Sequence, residues 1–393
     1  MEKTNREGFA SNFGFIMAAV GSAVGLGNIW GFPYKMGMNG GFAFLLIYLV
    51  LAIFIGIAVM IGELVIGRKT GLSPIAAYRK LSKKFTFLGY MALACPFLIL
   101  CFYFVLGGMV MRYALSYLTA IFGWNVEPLQ ADFLGVLKAA AGQMFFSLSL
   151  GMGAMITYGS YLQKKESIQK NAVIVVICDT LVAIMAGMIV MPACYAFLGG
   201  NTTGGPGLLF ASMQQVFHNM GYIGNIMGFL FYTLVFIAAI SSSMSLLEVI
   251  TSFKVDQNVA EGKAPGRKKY AIIAAVIIFV FCLPTCLDGL GNGLANGAAI
   301  GTPAEILGVD VKGWNCDWLD FYDMLSEGIM MPLGAMVMAF AIGWIWKLDM
   351  IVEECESSGH KFWGKVFFEI CYKFITPIGM AFVLYAQVLT FFG

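Results

Sequence analysis

The stretch SAVGLGNIWGFPY, residues 22–34, lies inside a run apolar enough to cross a membrane, yet it holds three glycines, an asparagine and a proline. A spanning helix satisfies its own backbone, and irregular backbone at membrane depth survives only where protein covers it or a polar hollow supplies partners. Gly21, Gly25 and Gly27 each lower helix propensity by about 1 kcal/mol relative to alanine, and Pro33 removes a further donor. Gly21 and Gly25 also fit the small-xxx-small spacing of close helix packing. Glycine alone therefore leaves both a packing contact and a binding site open.

Working outward, the 393 residues are 60% hydrophobic and 12% charged, with a mean hydropathy of +0.82. That excludes a soluble domain and marks an integral membrane protein. Apolar runs near 12–35, 41–67, 86–122, 135–162, 171–198, 222–253, 270–287, 319–346 and 366–392 reach or approach the roughly 20 residues a bilayer core requires. About nine spans are expected. Ten-residue alternation is absent, so the fold class is an all-α transmembrane bundle rather than an outer-membrane barrel.

Cations fix the expected orientation, because Lys and Arg are retained in cytoplasmic loops. Lys3 and Arg6 precede the first run, and Arg68 to Lys84 contribute six cations after the second. Lys164, Lys165 and Lys170 follow the fourth, Lys254 to Lys269 the sixth, and Lys347, Lys361 and Lys365 the eighth. The alternate loops have almost none. This places the N-terminus in the cytoplasm and the C-terminus outside, in a multi-pass protein of the cell (inner) membrane surrounded by lipid. No cleavable signal peptide is evident, since Asn28 interrupts the first run.

The nine cysteines form no metal-type pairs and read as buried apolar side chains. His218 and His360 are the two histidines, which leaves little for a zinc or histidine-based hydrolytic site. No nucleophile with a paired base is visible, so the chain is not expected to be an enzyme, and nothing points to nucleic acid.

A second segment, QMFFSLSLGMGAMITYGSY at 143–161, repeats the character of the first, with Gly151 and Gly153 in mid-span beside Ser147 and Ser149. Interrupted helices in two halves of a chain point to a midplane transport site, where free amides attract an anion and unwound carbonyls bind cations. A third cluster, AAISSSMS at 238–245, places hydroxyls in another span. Hard cations prefer such oxygen ligands. Two acids also fall within spans. Glu63 reads equally as an interfacial acid or a site group; Asp179 lies deeper.

These motifs, with NGGFAFLLIYL and DTLVAIMAG, resemble the neurotransmitter:sodium symporter family, whose LeuT-type fold is an inverted repeat with its first and sixth helices broken; here these are the first and fourth spans. The resemblance covers nearly the whole chain and implies one membrane domain over 1–393, with a first repeat at 8–124, a second at 131–346 and an extra helix at 361–393. It implies sodium-coupled symport of a small amino acid by alternating access. One sodium would meet the Ala23 carbonyl, Asn28, Ser147 and Asp179, with Cys178 the alternative to Asp179. The second would meet carbonyls of Gly21, Val24 and Ala238 with Ser241 and Ser242.

The substrate would lie between the breaks, with its carboxylate on the amides of Leu26 and Gly27 and on Tyr103. Ser22, Ala23, Phe146, Ser147, Ser149, Gly151, Met152, Ser242 and Leu246 complete the substrate set. Amine-carrying members place an aspartate where this chain has Gly25, so a substrate bringing its own carboxylate is implied, apolar or aromatic beside Met152. Arg6 and Asp256 match an inner gate and Asp323 the acid of an outer one. The outer basic residue is replaced by Gly31, leaving closure to Lys35 or to packing alone.

One feature departs from the family. Two further spans are expected before the second broken helix, and only GWNVEPLQADFL joins the flanking runs. The first repeat is thus shortened from five helices to three. An alternative reading is therefore a transport-incompetent membrane protein, truncated or regulatory, that keeps the sodium and amino acid residues.

Overall fold

The computed structural model describes residues 9, 11–119, 149–198, 213–288, 294, 298–311 and 316–392. Among them, seven helices are long and apolar enough to cross a membrane, and one bent pair forms an eighth span. The outer half of the 135–162 run lies outside the described residues.

The bent pair contains the opening stretch. Helix α1 (Asn12–Ala23) starts at Ser11, whose hydroxyl accepts from Gly14 N. It stops because Val24 turns extended, at φ −73° and ψ 107°. Helix α2 (Gly27–Met38) resumes at 60° to it, beginning with a wide π-helical turn over Gly27–Gly31. Pro33 then sits in the first turn of the α-helical part, where its missing N–H is no loss.

The continuous spans follow as α3 (Phe42–Thr70), α5 (Thr86–Thr119), α7 (Ile168–Leu198), α9 (Tyr222–Ala260), α10 (Arg267–Leu287), α12 (Trp318–Trp346) and α14 (Lys365–Leu389). Shorter helices lie between them: α4 (Pro74–Leu81), α6 (Ala154–Tyr161), α8 (Met213–Asn219), α11 (Pro303–Leu307) and α13 (Asp349–Glu356). Helix α6 belongs to the second glycine-bearing segment, 143–161, which is described from residue 149 on. The backbone before it is irregular, with φ of +53° at Ser149, +73° at Gly151 and +75° at Gly153.

Two helix pairs hold the site. Helix α5 packs along α9, and α3 packs along α6. The α3–α6 approach depends on glycine: a Cβ on Gly67 would come within 2.0 Å of the Ile156 carbonyl, and one on Gly159 within 2.5 Å of the Leu64 carbonyl. Small residues let backbones approach this closely where lipid supplies no hydrophobic drive. The core around them contains Phe15, Phe32, Phe44, Tyr48, Met60 and Leu64, all fully buried. The outer faces of α9 and α10, with Ile223, Leu230, Leu234, Ile237, Phe279 and Val280, are exposed and apolar, as a lipid-facing surface requires.

Candidate substrate and sodium site

The break in α1–α2 strands backbone donors in the bundle centre, and side chains meet them. Gly25 N donates to Asn28 Oδ1 at 2.9 Å, and Leu26 N donates to the Tyr103 hydroxyl at 3.0 Å. Three carbonyls of the same break, on Gly21, Ser22 and Val24, surround Ser242 Oγ at 3.3, 3.2 and 3.2 Å. Ser241 donates to the Ala238 carbonyl at 2.8 Å. A buried polar group without a partner costs about 1–3 kcal/mol, so unwinding is tolerated here only because α5 and α9 bring hydroxyls to it.

Asn28 also ties the break to α7. Its Nδ2 donates to Asp179 Oδ1 at 2.7 Å, and Tyr48 donates to Asp179 Oδ2 at 3.3 Å. Asp179 is fully buried, whereas Cys178 is only partly so. The carboxylate, not the thiol, faces the break.

The second break is held to the first by Ser149, which donates to the Ser22 carbonyl at 3.0 Å. Glu63 is buried at 2% exposure, and its Oε1 accepts from Gly151 N at 2.6 Å. The interfacial reading of Glu63 is therefore set aside: the acid binds an unwound amide. Hydropathy of its neighbours could not show this, since only the fold brings α3 alongside residue 151.

Between the breaks lies a cavity of about 20 Å³, lined by Ser22, Ala23, Gly25, Gly27, Tyr103, Ser149, Met152, Ser242 and Leu246. Ile99 also lines it and escaped the sequence reading, because an isoleucine in an apolar run carries no signal. Tyr48 was missed for a similar reason. Leu26 sits behind the wall and Gly151 turns its N–H to Glu63. Phe146, Ser147 and Arg6 lie outside the described residues. Gly25 has no room for a side chain: a Cβ would fall 2.5 Å from both the Ser242 and Tyr103 hydroxyls.

Contacts cross the bundle on either side of the cavity. At the end near the N-terminus Phe9 packs against Phe15, Tyr158 and Tyr161, and its N–H donates to the Tyr161 carbonyl. Asp256, expected opposite Arg6, accepts from Ser73 N at 2.6 Å. At the opposite end Lys35 on α2 meets Glu327 on α12 at 2.6 Å. The expected acid there was Asp323; it stands one turn earlier, within electrostatic reach of Lys35, but the ion-pair contact is made by Glu327. An ion pair is thus present at this end although Gly31 supplies no basic residue.

This geometry can be compared with known proteins. The model of the sodium:neurotransmitter symporter family matches residues 6–133 and 131–292. The chain belongs to that family. Among its relatives, an uncharacterized sodium-dependent transporter, YhdH of Bacillus subtilis, is 28% identical over 95% of this chain and 96% of the relative. An uncharacterized sodium-dependent transporter of Haemophilus influenzae is 27% identical over the same shares. The structure of MhsT in complex with L-phenylalanine matches with a TM-score of 0.82 and 30% identity, covering 98% of this chain and all of that one.

This symporter-family member is therefore a multi-pass membrane transporter with a LeuT-type fold, related to sodium-dependent transporters and not to enzymes. The comparison also shows the chain to be shorter than its relative. The B. subtilis alignment runs over 467 positions, and 95% of 393 residues is about 373, so about 94 positions face no residue here. That is room for two spans of about 20 residues with their connections. The family match itself breaks in two at residues 131–133.

Proposed function

We propose that this protein is a symporter that couples inward sodium movement to uptake of an apolar or aromatic L-amino acid. The observation that carries the reading is the convergence of both broken spans on one cavity at Gly25. There a free carboxylate could take the Leu26 N–H from Tyr103, while Gly25 leaves no space for a side-chain acid that would serve an amine instead. MhsT, whose complex holds L-phenylalanine, supports the substrate class.

Two sodium ions enter the scheme as cargo. The donor chemistry suits them, since every candidate group is a hard oxygen. One ion would replace the Ser242 hydroxyl proton's contacts among the Gly21 and Val24 carbonyls, joined by Ala238 and Ser241. The other would sit at Asp179 and Asn28 with the Ala23 carbonyl and Ser147, displacing the Asn28 N–H from the carboxylate. The substrate carboxylate would lie beside that second ion, so that each raises the affinity of the other. At about 20 Å³ the cavity admits little more than a water; Met152, Leu246 and Ile99 would withdraw as substrate enters.

We place the protein in the cell membrane with its N-terminus inside, on the distribution of Lys and Arg. Proteoliposomes loaded without sodium and diluted into sodium with labelled phenylalanine test the function: accumulation that collapses when the gradient is dissipated supports it. The second reading, binding without transport, is favoured by the alignment positions, about 94 in all, that face no residue in this chain. Sodium-dependent binding with no gradient-driven accumulation would select it.

A further inference from the structure

At the end of the bundle that carries the cation-rich connections, a second cavity of about 200 Å³ opens between the end of α12, α13 and the start of α14. It is ten times roomier than the central one and has no part in the reading above. Its polar lining is Lys347, Lys365 and Lys373 with Asp349 and Glu369. Lys365 pairs with Asp349 at 2.9 Å and Lys373 with Glu369 at 2.6 Å. Lys347 makes no ion pair among the described residues, and its backbone is held at φ +62°, a conformation non-glycine residues rarely adopt. The cavity therefore holds three cations against two acids.

Its position decides the ligand. Lys373 stands eight residues into α14 from Lys365, about 12 Å along the helix, and lies 5.7 Å from the centre of the Trp344 ring. The cations thus descend from the water-facing end of the helix toward the hydrocarbon. Below them the surface is apolar and exposed, at Ile345, Phe374 and Ile378. A soluble anion would use the lysines alone. A lipid would use both features, with its phosphate among the lysines and its chains on the apolar strip.

We propose that this cavity binds the headgroup of an anionic phospholipid. Ionisable groups at this depth are costly unless they serve such a purpose, and the existing acids hold Lys365 and Lys373 in place while leaving Lys347 to the phosphate.

The test uses the purified full chain in a neutral detergent, titrated with phosphatidylglycerol, with phosphatidylcholine or with inorganic phosphate. Bound lipid is counted by native mass spectrometry and the thermal midpoint is followed in parallel. Phosphatidylglycerol should bind about tenfold more tightly than phosphatidylcholine. Lys347→Gln with Lys365→Gln should remove that preference, and Lys263→Gln with Lys268→Gln, at the same end but outside the cavity, should keep it. If the double variant fails to fold, Lys347→Gln alone, which breaks no ion pair, should still reduce the preference. Equal binding of both lipids, an undiminished preference in the cavity variants, or displacement of phosphatidylglycerol by inorganic phosphate would each overturn the proposal, the last by assigning a soluble anion instead.

Discussion

Lys35 and Glu327 bridge α2 and α12 at 2.6 Å, with the lysine side chain 23% exposed and the glutamate 7%. The pair ties the second half of the bent span to α12, so it would resist any movement of one helix relative to the other. Removing one partner of a largely buried pair leaves the other uncompensated, at a cost of about 3 kcal/mol when burial is complete and less here. Glu327→Gln should lower sodium-driven uptake several-fold, and Lys35→Glu should do the same. The exchanged pair Lys35→Glu with Glu327→Lys should recover most of it. Uptake unchanged in both single variants would show that the contact does not gate the path.

Gly25 faces the Tyr103 and Ser242 hydroxyls with no space to spare. Gly25→Ala inserts a methyl group into 2.5 Å gaps, which the hydroxyls can relieve only by giving up the Leu26 amide and the break carbonyls. Equilibrium binding of labelled phenylalanine should weaken by about tenfold or more, equivalent to 1.4 kcal/mol or more. The folded protein should persist, because the strain is confined to the break. Binding at the wild-type level would displace the substrate from this cavity.

The first break was legible because glycine, asparagine and proline cannot be mistaken for lipid-facing residues, and its polar neighbours Ser149 and Ser242 stand out in apolar runs. Eight of the nine expected runs were legible as spans among the described residues for the same reason, since length and hydropathy follow from bilayer thickness; the run at 135–162 is described only from residue 149. What could not be read was any partner supplied across the fold by an ordinary residue. Ile99 looks like its neighbours, Glu63 is an acid near a helix end, and Lys35 with Glu327 is a contact 292 residues apart in sequence. Such pairs depend on the rotation of each helix about its own axis, which an almost uniformly apolar helix does not encode.

Glu63 gives the unwound Gly151 amide an acceptor at 2.6 Å, and leaving such a buried donor unpaired costs about 1–3 kcal/mol. Glu63→Ala should incur most of that and lower the thermal midpoint in detergent. Glu63→Gln keeps an acceptor of the same shape and should fall between. A Gln variant as impaired as the Ala variant would mean that the charge, not the hydrogen bond, is what the second break needs.

Asp317, just outside the start of α12, is 1% exposed and one of its oxygens has no hydrogen-bond partner. Burial, with Asp320 and Asp288 nearby, pushes its carboxyl up to about 7. The folded state therefore holds a proton that the unfolded chain, with a carboxyl near 3.9, gives up. Stability from this group is complete below about pH 4 and is lost as pH rises through 7, about three pH units in all and so on the order of 4 kcal/mol. The thermal midpoint should fall between pH 5 and pH 8, and Asp317→Asn should flatten the fall and exceed the wild type at pH 8. A midpoint that rises over this range in the wild type would contradict the sign.

Ser242 is where the sodium assignment is most exposed to failure. Its hydroxyl is the shared neighbour of the Gly21, Ser22 and Val24 carbonyls, so it can hold them together as a donor and, with a cation among them, as an oxygen ligand. Ser242→Ala removes both roles. Without sodium the three carbonyls lose a donor, which costs about 1–3 kcal/mol; with sodium the ion loses one ligand. The sodium concentration for half-maximal phenylalanine binding should rise by about tenfold. Ser242→Thr, which keeps the oxygen, should restore much of the affinity if the added methyl group is accommodated. Should Ser242→Ala bind phenylalanine with unchanged sodium dependence, no sodium ion is held at this turn, and coupling would have to run through Asp179 and Asn28 alone.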